Sequence, residues 1–467
     1  MEGRRRANLR GSNDNPHAAG WARLLDWSFT TESGRVAIYR FLDGSARSHT
    51  YEQRLSWLGA GWLTAAGLAK KSIERDRVPE ETTNSPAPTF ADTLLATHGA
   101  QEAAHSVSAA KAGASAKAGA TKVSATYADA GVDISSGDRA KQRIKMLARK
   151  TFNKHVLSEI GGFGGLFALD LVKFPEPVMV SSADGVGTKL KVAFELGIHH
   201  TVGADLVNHC VNDIAVQGAT PLFFLDYLAT GKLREQDGDM IETVVRGLSE
   251  ACKANGCALI GGETAQMPGF YADGEYDLAG TIVGCVNRPD IITGEKIEAG
   301  DVLIGLPSNG LHTNGYSLAR KLLFEVAGYE PDHYVNELKD KTGAALMRTH
   351  RSYLAILKKL WGAGIVHGMA HITGGGITEN LPRILPRGTG AVVDLASWTV
   401  PPLFEHLQQL GNVAQDEMMR TFNMGIGMIV VVPAEQVKKA KAILNRANER
   451  YHIIGRITRG DRRVSYN

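Results

Sequence analysis

Ser181-Ser182-Ala183-Asp184-Gly185-Val186-Gly187-Thr188-Lys189-Leu190-Lys191 follows directly on the apolar run Val178-Met179-Val180, and its reading decides the fold. A strand that ends in a carboxylate, two glycines, a hydroxyl and a lysine places a metal ligand and an ammonium beside bare backbone N–H groups. A polyphosphate needs that set. The pattern therefore predicts a nucleotide phosphate site where a strand turns into a helix. It matches neither common version. The order Gly187-Thr188-Lys189 breaks G-x-x-x-x-G-K-[ST], and Gly161-Gly162-Phe163-Gly164-Gly165 does not fit G-x-G-x-x-G. Taken alone, the stretch reads equally well as a glycine-rich connection carrying a solvated lysine.

Outward from it, the composition is that of an α/β protein. Strands are expected at Pro177–Ser182, Thr220–Leu228, Cys257–Gly261 and Leu278–Val286, with helices at Ser136–Thr151, Leu190–Leu196, Asp205–Gln217 and Gln236–Ala254. After a connector at Ile291–Gly300, a second half is expected to hold strands at Asp301–Gly305, Gly390–Asp394 and Met424–Val432 and helices at Tyr316–Ala327 and Gly343–Ala363.

On the helix Asp205–Gln217, Asp205, Asn208, His209, Asn212 and Asp213 share one arc, while Leu206, Val207, Cys210, Val211 and Ile214 share the other. One face packs, and the other carries metal-type ligands in place of the Lys, Glu and Gln of a solvated face. Asp205 and Asp213 lie about 12 Å apart along the axis, so they are expected to address different parts of a triphosphate–Mg²⁺ complex. Four stretches have the same character: Gly261-Gly262-Glu263-Thr264, Ser308 to Ser317 with His312-Thr313-Asn314 at its centre, His371 to Asn380 with Gly374-Gly375-Gly376, and Thr421 to Gly427. Each alone reads as a turn or helix cap. Together they describe several anion sockets and no Ser/His/Asp nucleophile set.

Composition narrows the partners. The 467 residues suffice for two or three domains. Residues 1–125 hold 16 Lys+Arg against 12 Asp+Glu, and the remainder 36 against 37, so the bulk of the chain has no basic nucleic-acid surface. No run has the length of a transmembrane helix. Cys210, Cys252, Cys257 and Cys285 form no C-x-x-C pair and sit in apolar or helical stretches, as reduced thiols of a cytoplasmic protein do. Residues 1–125 carry four of the six tryptophans, show no sustained period, and include the Ala/Ser/Gly/Lys tract Ser106–Ala125, which has too little to bury to offset the entropy of ordering. The segment is expected to be a disordered extension or a start placed too far upstream; a presequence and a small domain are the alternatives.

Tyr127–Arg463 resembles the phosphoribosylformylglycinamidine cyclo-ligase (AIR synthetase) family. The resemblance rests on Tyr127-Ala128-Asp129-Ala130-Gly131-Val132-Asp133, the Gly161–Gly165 loop, Asp184 to Lys191, Phe223-Phe224-Leu225-Asp226-Tyr227, Gly261 to Ala265, Gly310 to Gly315 and His371 to Gly376, in the family's order and spacing. Family members begin near the Tyr127 motif, so residues 1–125 depart from the pattern.

The resemblance implies a two-domain α/β (α+β) fold, with residues 126–289 forming an N-terminal ATP-binding sheet domain, residues 290–467 a C-terminal α/β domain, and a homodimer through the N-terminal sheets. It implies that formylglycinamidine ribonucleotide and ATP give aminoimidazole ribonucleotide, ADP and phosphate, with Mg²⁺ and usually K⁺. By motif position, Asp184, Asp213 and Glu263 are expected as metal ligands with Asn212 assisting. Gly161, Gly162, Gly164, Gly165, Gly187, Thr188 and Lys189 are expected on ATP. His312, with Thr313 and Asn314, is expected at the transferring phosphoryl, and Gly374, Gly375 and Gly376 at the substrate's 5′-phosphate. Lys189, Asp213 and His312 are the expected catalytic residues. Two alternatives from other classes are another ATP-using member of the superfamily, of the thiamine-monophosphate kinase or selenophosphate synthetase type, and a non-catalytic nucleotide-binding module.

Overall fold

The computed structural model describes residues 25–31, 34–42, 48–54, 134–231 and 238–467. The chain divides into two compact units, Met1–Ala118 and Gly119–Asn467. In the first, β1 (Leu25–Thr31), β2 (Gly34–Leu42) and β3 (Ser48–Arg54) pair as an antiparallel meander, with Leu25 opposite Arg40 and Leu42 opposite Ser48. From the sequence no regular element is expected there. Runs such as Val36-Ala37-Ile38-Tyr39 favour a strand but are too short to register as a sustained period. The Ser106–Ala125 tract lies outside the described residues.

The second unit begins with helix α1 (Ile134–Arg149) and builds a four-stranded sheet in the order β4-β7-β5-β6: β4 (Pro177–Gly185), β7 (Tyr276–Asn287), β5 (Thr220–Thr230) and β6 (Ala258–Gln266). Only β5 and β6 run parallel. Helices α2 (Lys189–Leu196), α3 (His200–Ala215) and α4 (Gly238–Asn255) follow the strands, and α3 packs on β4, β5 and β7. Two glycines let α3 and α4 touch backbone to backbone: a Cβ on Gly203 would stand 2.2 Å from the Val244 carbonyl, and one on Gly247 1.9 Å from the His200 carbonyl. The register puts Met179 of β4 and Tyr227 of β5 on one face of the sheet. Along β4 the exposed positions alternate, and Met179 and Tyr227 stand exposed on that face.

A six-stranded sheet follows in the order β11-β13-β8-β14-β12-β15, from β8 (Val302–Pro307), β11 (Gly368–His371), β12 (Thr389–Val393), β13 (Ile426–Val432), β14 (His452–Arg459) and β15 (Val464–Tyr466). All its pairings are antiparallel except β12 with β15. Between β8 and β11 lie helix α5 (Tyr316–Arg320), the short ribbon of β9 (Tyr334–Val335) and β10 (Asp340–Lys341), and helices α6 (Thr342–Leu346) and α7 (Leu354–Trp361). Helix α8 (Gly376–Asn380) follows β11. One continuous core runs from Leu147 and Val186 through Leu206 and Ile214 to Leu306, Tyr353 and Leu444, so the two sheets share a hydrophobic interior.

The expected single helix Gly343–Ala363 is broken, because residues 347–353 leave the helical path between α6 and α7. Side chains of α3 replace the missing helical hydrogen bonds: Asp205 Oδ1 accepts from the His350 amide at 2.6 Å, Asn208 donates to the His350 carbonyl at 2.7 Å, and Asn212 holds the Arg351 carbonyl and the Tyr353 amide at 3.0 and 2.9 Å. The polar arc of α3 is thus neither solvated nor devoted to a ligand. Much of it reads the backbone of the other half.

Candidate active-site cleft between the two sheets

The end of β4, the polar arc of α3 and the end of β11 converge on one cleft of about 600 Å³, lined by Ser182, Asp184, His209 and Asp213 on one side and by His371, Thr373, Asn380 and Arg383 on the other. His209 joins the carboxylates. Its Nε2 lies 2.8 Å from Asp184 Oδ2 and 3.7 Å from Asp213 Oδ2, and its Nδ1 lies 2.7 Å from Thr313 Oγ1. Asp213 accepts from Ser182 Oγ at 3.0 Å and pairs through Oδ1 with His371 Nδ1 at 2.8 Å.

These contacts set the charges. Burial alone would lower the His209 pKa, but the Asp184 hydrogen bond and the nearby Asp213 charge raise it above the ordinary histidine value. Burial would raise Asp213, and its bond to His371 with the charges of His371 and His209 holds it below the usual carboxylate range. For His371 burial wins over Asp213 and the pKa falls. The result is two ionised carboxylates beside a cation-favouring imidazole at the mouth of the cleft, with Arg383 exposed on the opposite wall.

Two expected substrate stretches do come together. A Cβ on Gly374 would lie 3.2 Å from Asn314 Oδ1, which puts the Thr313-Asn314 turn against the Gly374–Gly376 loop. Asn380 ties that loop, donating to the carbonyls of Gly374 and Gly376 at 3.1 and 2.8 Å. Gly376 has φ +57°, and a Cβ there would stand 2.0 Å from the Met419 carbonyl, so a larger residue cannot follow this path.

Other expected residues are placed differently. Lys189 does not face the cleft. Its ammonium is fully buried, forms an ion pair with Asp205 Oδ2 at 2.7 Å, and donates to the carbonyls of Arg348 at 2.8 Å and His312 at 3.4 Å. Burial pulls the Lys189 pKa down and pushes that of Asp205 up; the short contact and the flanking donors keep them as an ion pair. Lys189 and Asp205 thus face each other and the 312 and 348–350 backbone and do not line the cleft. Gly187 and Thr188 are exposed, and Thr188 Oγ1 meets Ser317 Oγ at 3.1 Å.

Glu263 does not join Asp184. Asp184 lies on edge strand β4 and Glu263 on the opposite edge, β6, in a sheet where Asp184, Gly280, Asp226 and Gly262 stand in one row. Three interstrand spacings amount to about 14 Å, too far for one ion within one chain. The Gly161, Gly162, Gly164 and Gly165 loop is exposed and its end lies against β6: a Cβ on Gly165 would strike Ile260 at 2.8 Å.

His312 and Asn212 are also withdrawn from the cleft. His312, at φ +63°, is buried and stacks on His350 with ring centroids 4.0 Å apart. Asn212 is fully buried on residues 350–353. His350, the pairing of His371 with Asp213, and Arg383 were not anticipated from the sequence; His350 fell inside the expected helix Gly343–Ala363. The one available signal was that the ligand-rich arc of α3 needed partners of matching polarity. Another cleft of about 630 Å³, lined by Lys173, Trp361 and His367 among others, holds none of the residues singled out from the sequence.

The chain matches the family descriptions AIR synthase related protein, N-terminal domain, over residues 170–286 and C-terminal domain over residues 298–466. It is 51% identical over 339 residues to the phosphoribosylformylglycinamidine cyclo-ligase of Alkaliphilus oremlandii, covering 73% of this chain and 98% of that one. Likeness to the enzymes of that name from Desulfitobacterium hafniense (52%, covering 73% and 99%) and Syntrophotalea carbinolica (53%, covering 72% and 95%) is similar. Among solved structures, thiamine-monophosphate kinase from Stenotrophomonas maltophilia (18% identity, TM-score 0.51, covering 71% and 95%) and the hydrogenase maturation protein HypE in complex with ATP (17%, TM-score 0.51, covering 71% and 90%) share the fold. Among the described residues no helix is long and apolar enough to cross a membrane.

Proposed function

The chain belongs to the family of phosphoribosylformylglycinamidine cyclo-ligases, and we propose that the cleft between its sheets is where formylglycinamidine ribonucleotide and ATP become aminoimidazole ribonucleotide, ADP and phosphate in de novo purine biosynthesis. Relatives of about 50% identity carry this reading over a kinase, a selenophosphate synthetase or a non-catalytic module. The observation that supports the site is the convergence of Asp184, His209 and Asp213 from one half with His371, Thr373 and Arg383 from the other.

A formamide carbonyl is a poor electrophile and its oxygen a poor leaving group. Phosphorylation of that oxygen gives an iminophosphate, and the ribose-bearing amidine nitrogen then closes the ring and expels phosphate. Little covalent work is left to side chains, whose task is to hold charge and position the chain. Arg383 and the backbone of Thr373–Gly376 would hold the substrate's 5′-phosphate. His209 holds Asp184 through Nε2 and Thr313 through Nδ1 and so positions both beside the cleft; His371 is oriented by Asp213. Mg²⁺, when bound, neutralises phosphate charge, and Asp184 fits it, being an oxygen donor that lines the cleft with a 42% exposed side chain. K⁺ enters this reading from the family resemblance alone.

The exposed Met179 and Tyr227 on one face of the four-stranded sheet support a homodimer through the N-terminal sheets. Four buried free thiols fit a cytoplasmic setting. Phosphate release measured with ATP and Mg²⁺, with and without formylglycinamidine ribonucleotide, tests the assignment. Release is expected only with the ribonucleotide; equal release without it overturns the reading.

A further inference from the structure

Asp184 and Asp213 are joined by a second route that runs through the other half of the molecule. From Asp184 Oδ2 it is 2.8 Å to His209 Nε2, from His209 Nδ1 2.7 Å to Thr313 Oγ1, and from Thr313 Oγ1 3.3 Å to His350 Nδ1. His350 Nε2 lies 3.1 Å from His371 Nε2, and His371 Nδ1 2.8 Å from Asp213 Oδ1. Asp213 Oδ2, 3.7 Å from His209 Nε2, closes the ring. Three members come from β4 and α3; Thr313, His350 and His371 come from the loop before α5, the break between α6 and α7, and the end of β11.

Thr313 is the link on which the route turns. It is buried and does not line the cleft, and three groups meet its hydroxyl: His209, His350 and the Asn314 amide, which donates to it at 3.5 Å. A hydroxyl, with one proton and two lone pairs, can serve all three. The side away from His209 is firmly held. His350 stacks on His312 and lies 3.2 Å from Asn212 Nδ2, and Asn212 is itself fixed by the Tyr353 amide and the Arg351 carbonyl. Asp184 is the loose end. Its side chain is 42% exposed, and its Oδ1 accepts from the amide of its own neighbour Gly185, which moves with it, so its direction at the cleft edge depends on His209.

We propose that Thr313 is a positioning residue for the cyclisation: its hydroxyl fixes the His209 ring against the His350 anchor, and through that ring sets where Asp184 stands relative to Asp213. The proposal deepens the reading of the cleft given above and rests on it. Thr313 then acts through His209 and not by touching the transferring phosphoryl group, the place its sequence position suggests. The carboxylate of the first half is held in position by groups of the second, so the reacting geometry forms only where the two halves meet. Asn314, bonded to the same hydroxyl and set against Gly374, ties the glycine loop to the same point.

The test compares, in the full chain, Thr313→Val, which keeps the shape and removes the hydroxyl, with Thr313→Ser, which keeps the hydroxyl. The valine variant is expected to lose about 10- to 100-fold in kcat for ribonucleotide-dependent phosphate release, with KM for the ribonucleotide within about threefold of the parent and kcat of the serine variant likewise within about threefold. A second readout needs neither substrate nor metal: the imidazole N–H signals of protein carrying nitrogen-15-labelled histidine. The His209 Nε2–H signal, identified by its absence in His209→Gln, is expected in the parent and in Thr313→Ser and is expected to broaden by solvent exchange in Thr313→Val. Should Thr313→Val not fold, His350→Phe, which keeps the stack on His312 and removes both ring nitrogens, takes its place with the same two expectations. An unchanged kcat or an unchanged His209 signal in the valine variant, equal losses in the serine and valine variants, or a loss confined to KM overturns the proposal. Absence of ribonucleotide-dependent release in the parent would instead overturn the cyclisation reading, and the signal comparison would still decide whether Thr313 holds the His209 ring.

Discussion

Lys189→Ala separates two accounts of the Gly187-Thr188-Lys189 sequence. If the lysine held ATP, the substitution would slow phosphoryl transfer and leave the fold intact. In the structure it leaves the Asp205 carboxylate, wholly buried, with only the His350 amide, and strips a donor from the carbonyls of Arg348 and His312. Removing one partner of a buried ion pair costs about 3–5 kcal/mol. At roughly 2 °C per kcal/mol for a domain of this size, Tm should fall by about 6–10 °C. The double substitution Lys189→Met with Asp205→Asn removes both charges and keeps an acceptor for the His350 amide, so it should recover at least half of the loss. Calorimetric melts and phosphate release at 25 °C would be compared for the parent and both variants, with the folded single variant keeping phosphoryl transfer within a few-fold. An unchanged Tm with a hundredfold loss of phosphoryl transfer would refute the placement of Lys189 in the seam and return it to the nucleotide.

Asp213→Asn keeps the volume but removes the charge that orients His371 and helps raise the His209 pKa, so kcat should fall by about two orders of magnitude with little change in Tm; near-normal turnover would show that the carboxylate only fills space. A chain starting at Val123 should fold, dimerise and turn over like the whole, because the relatives match only 73% of this chain while spanning 98% of their own length; insoluble protein would make the first unit structural. Asp226 supplies a pH test: burial pushes its carboxyl up to about 7. Its contribution to stability is therefore full below the unfolded value near 4 and is lost as pH rises through about 7, by at most about 4 kcal/mol. Without ATP or Mg²⁺, Asp226→Asn should melt with the parent at pH 5 and above it at pH 8; equal melting at both would place the carboxyl in water.

The parts of this design legible in the sequence are those written locally. The strand before Asp184, the two-faced helix around His209 and the glycine loop at Gly374 are each short patterns with one physical reading, and all of them form. What was not legible depends on partners far along the chain. Lys189 ends a strand–turn–helix junction that looks like a phosphate loop, and nothing nearby reveals that the carbonyls of His312 and Arg348 will enclose it. The break between Leu346 and Leu354 is invisible to helix propensity, because the hydrogen bonds that hold it open come from Asp205, Asn208 and Asn212. Glu263 and Asp184 looked alike as carboxylates at strand ends, but only the strand order puts them on opposite edges.

In the proposed reaction ATP activates the formyl oxygen of the ribonucleotide in this cleft. Oxygen-18 placed in the formyl group, followed through a single turnover by mass spectrometry of the released phosphate, tests it most directly. The label is expected in phosphate in proportion to aminoimidazole ribonucleotide formed, because the phosphorylated oxygen is the one expelled on ring closure. Unlabelled phosphate, with the label recovered in water, would contradict it.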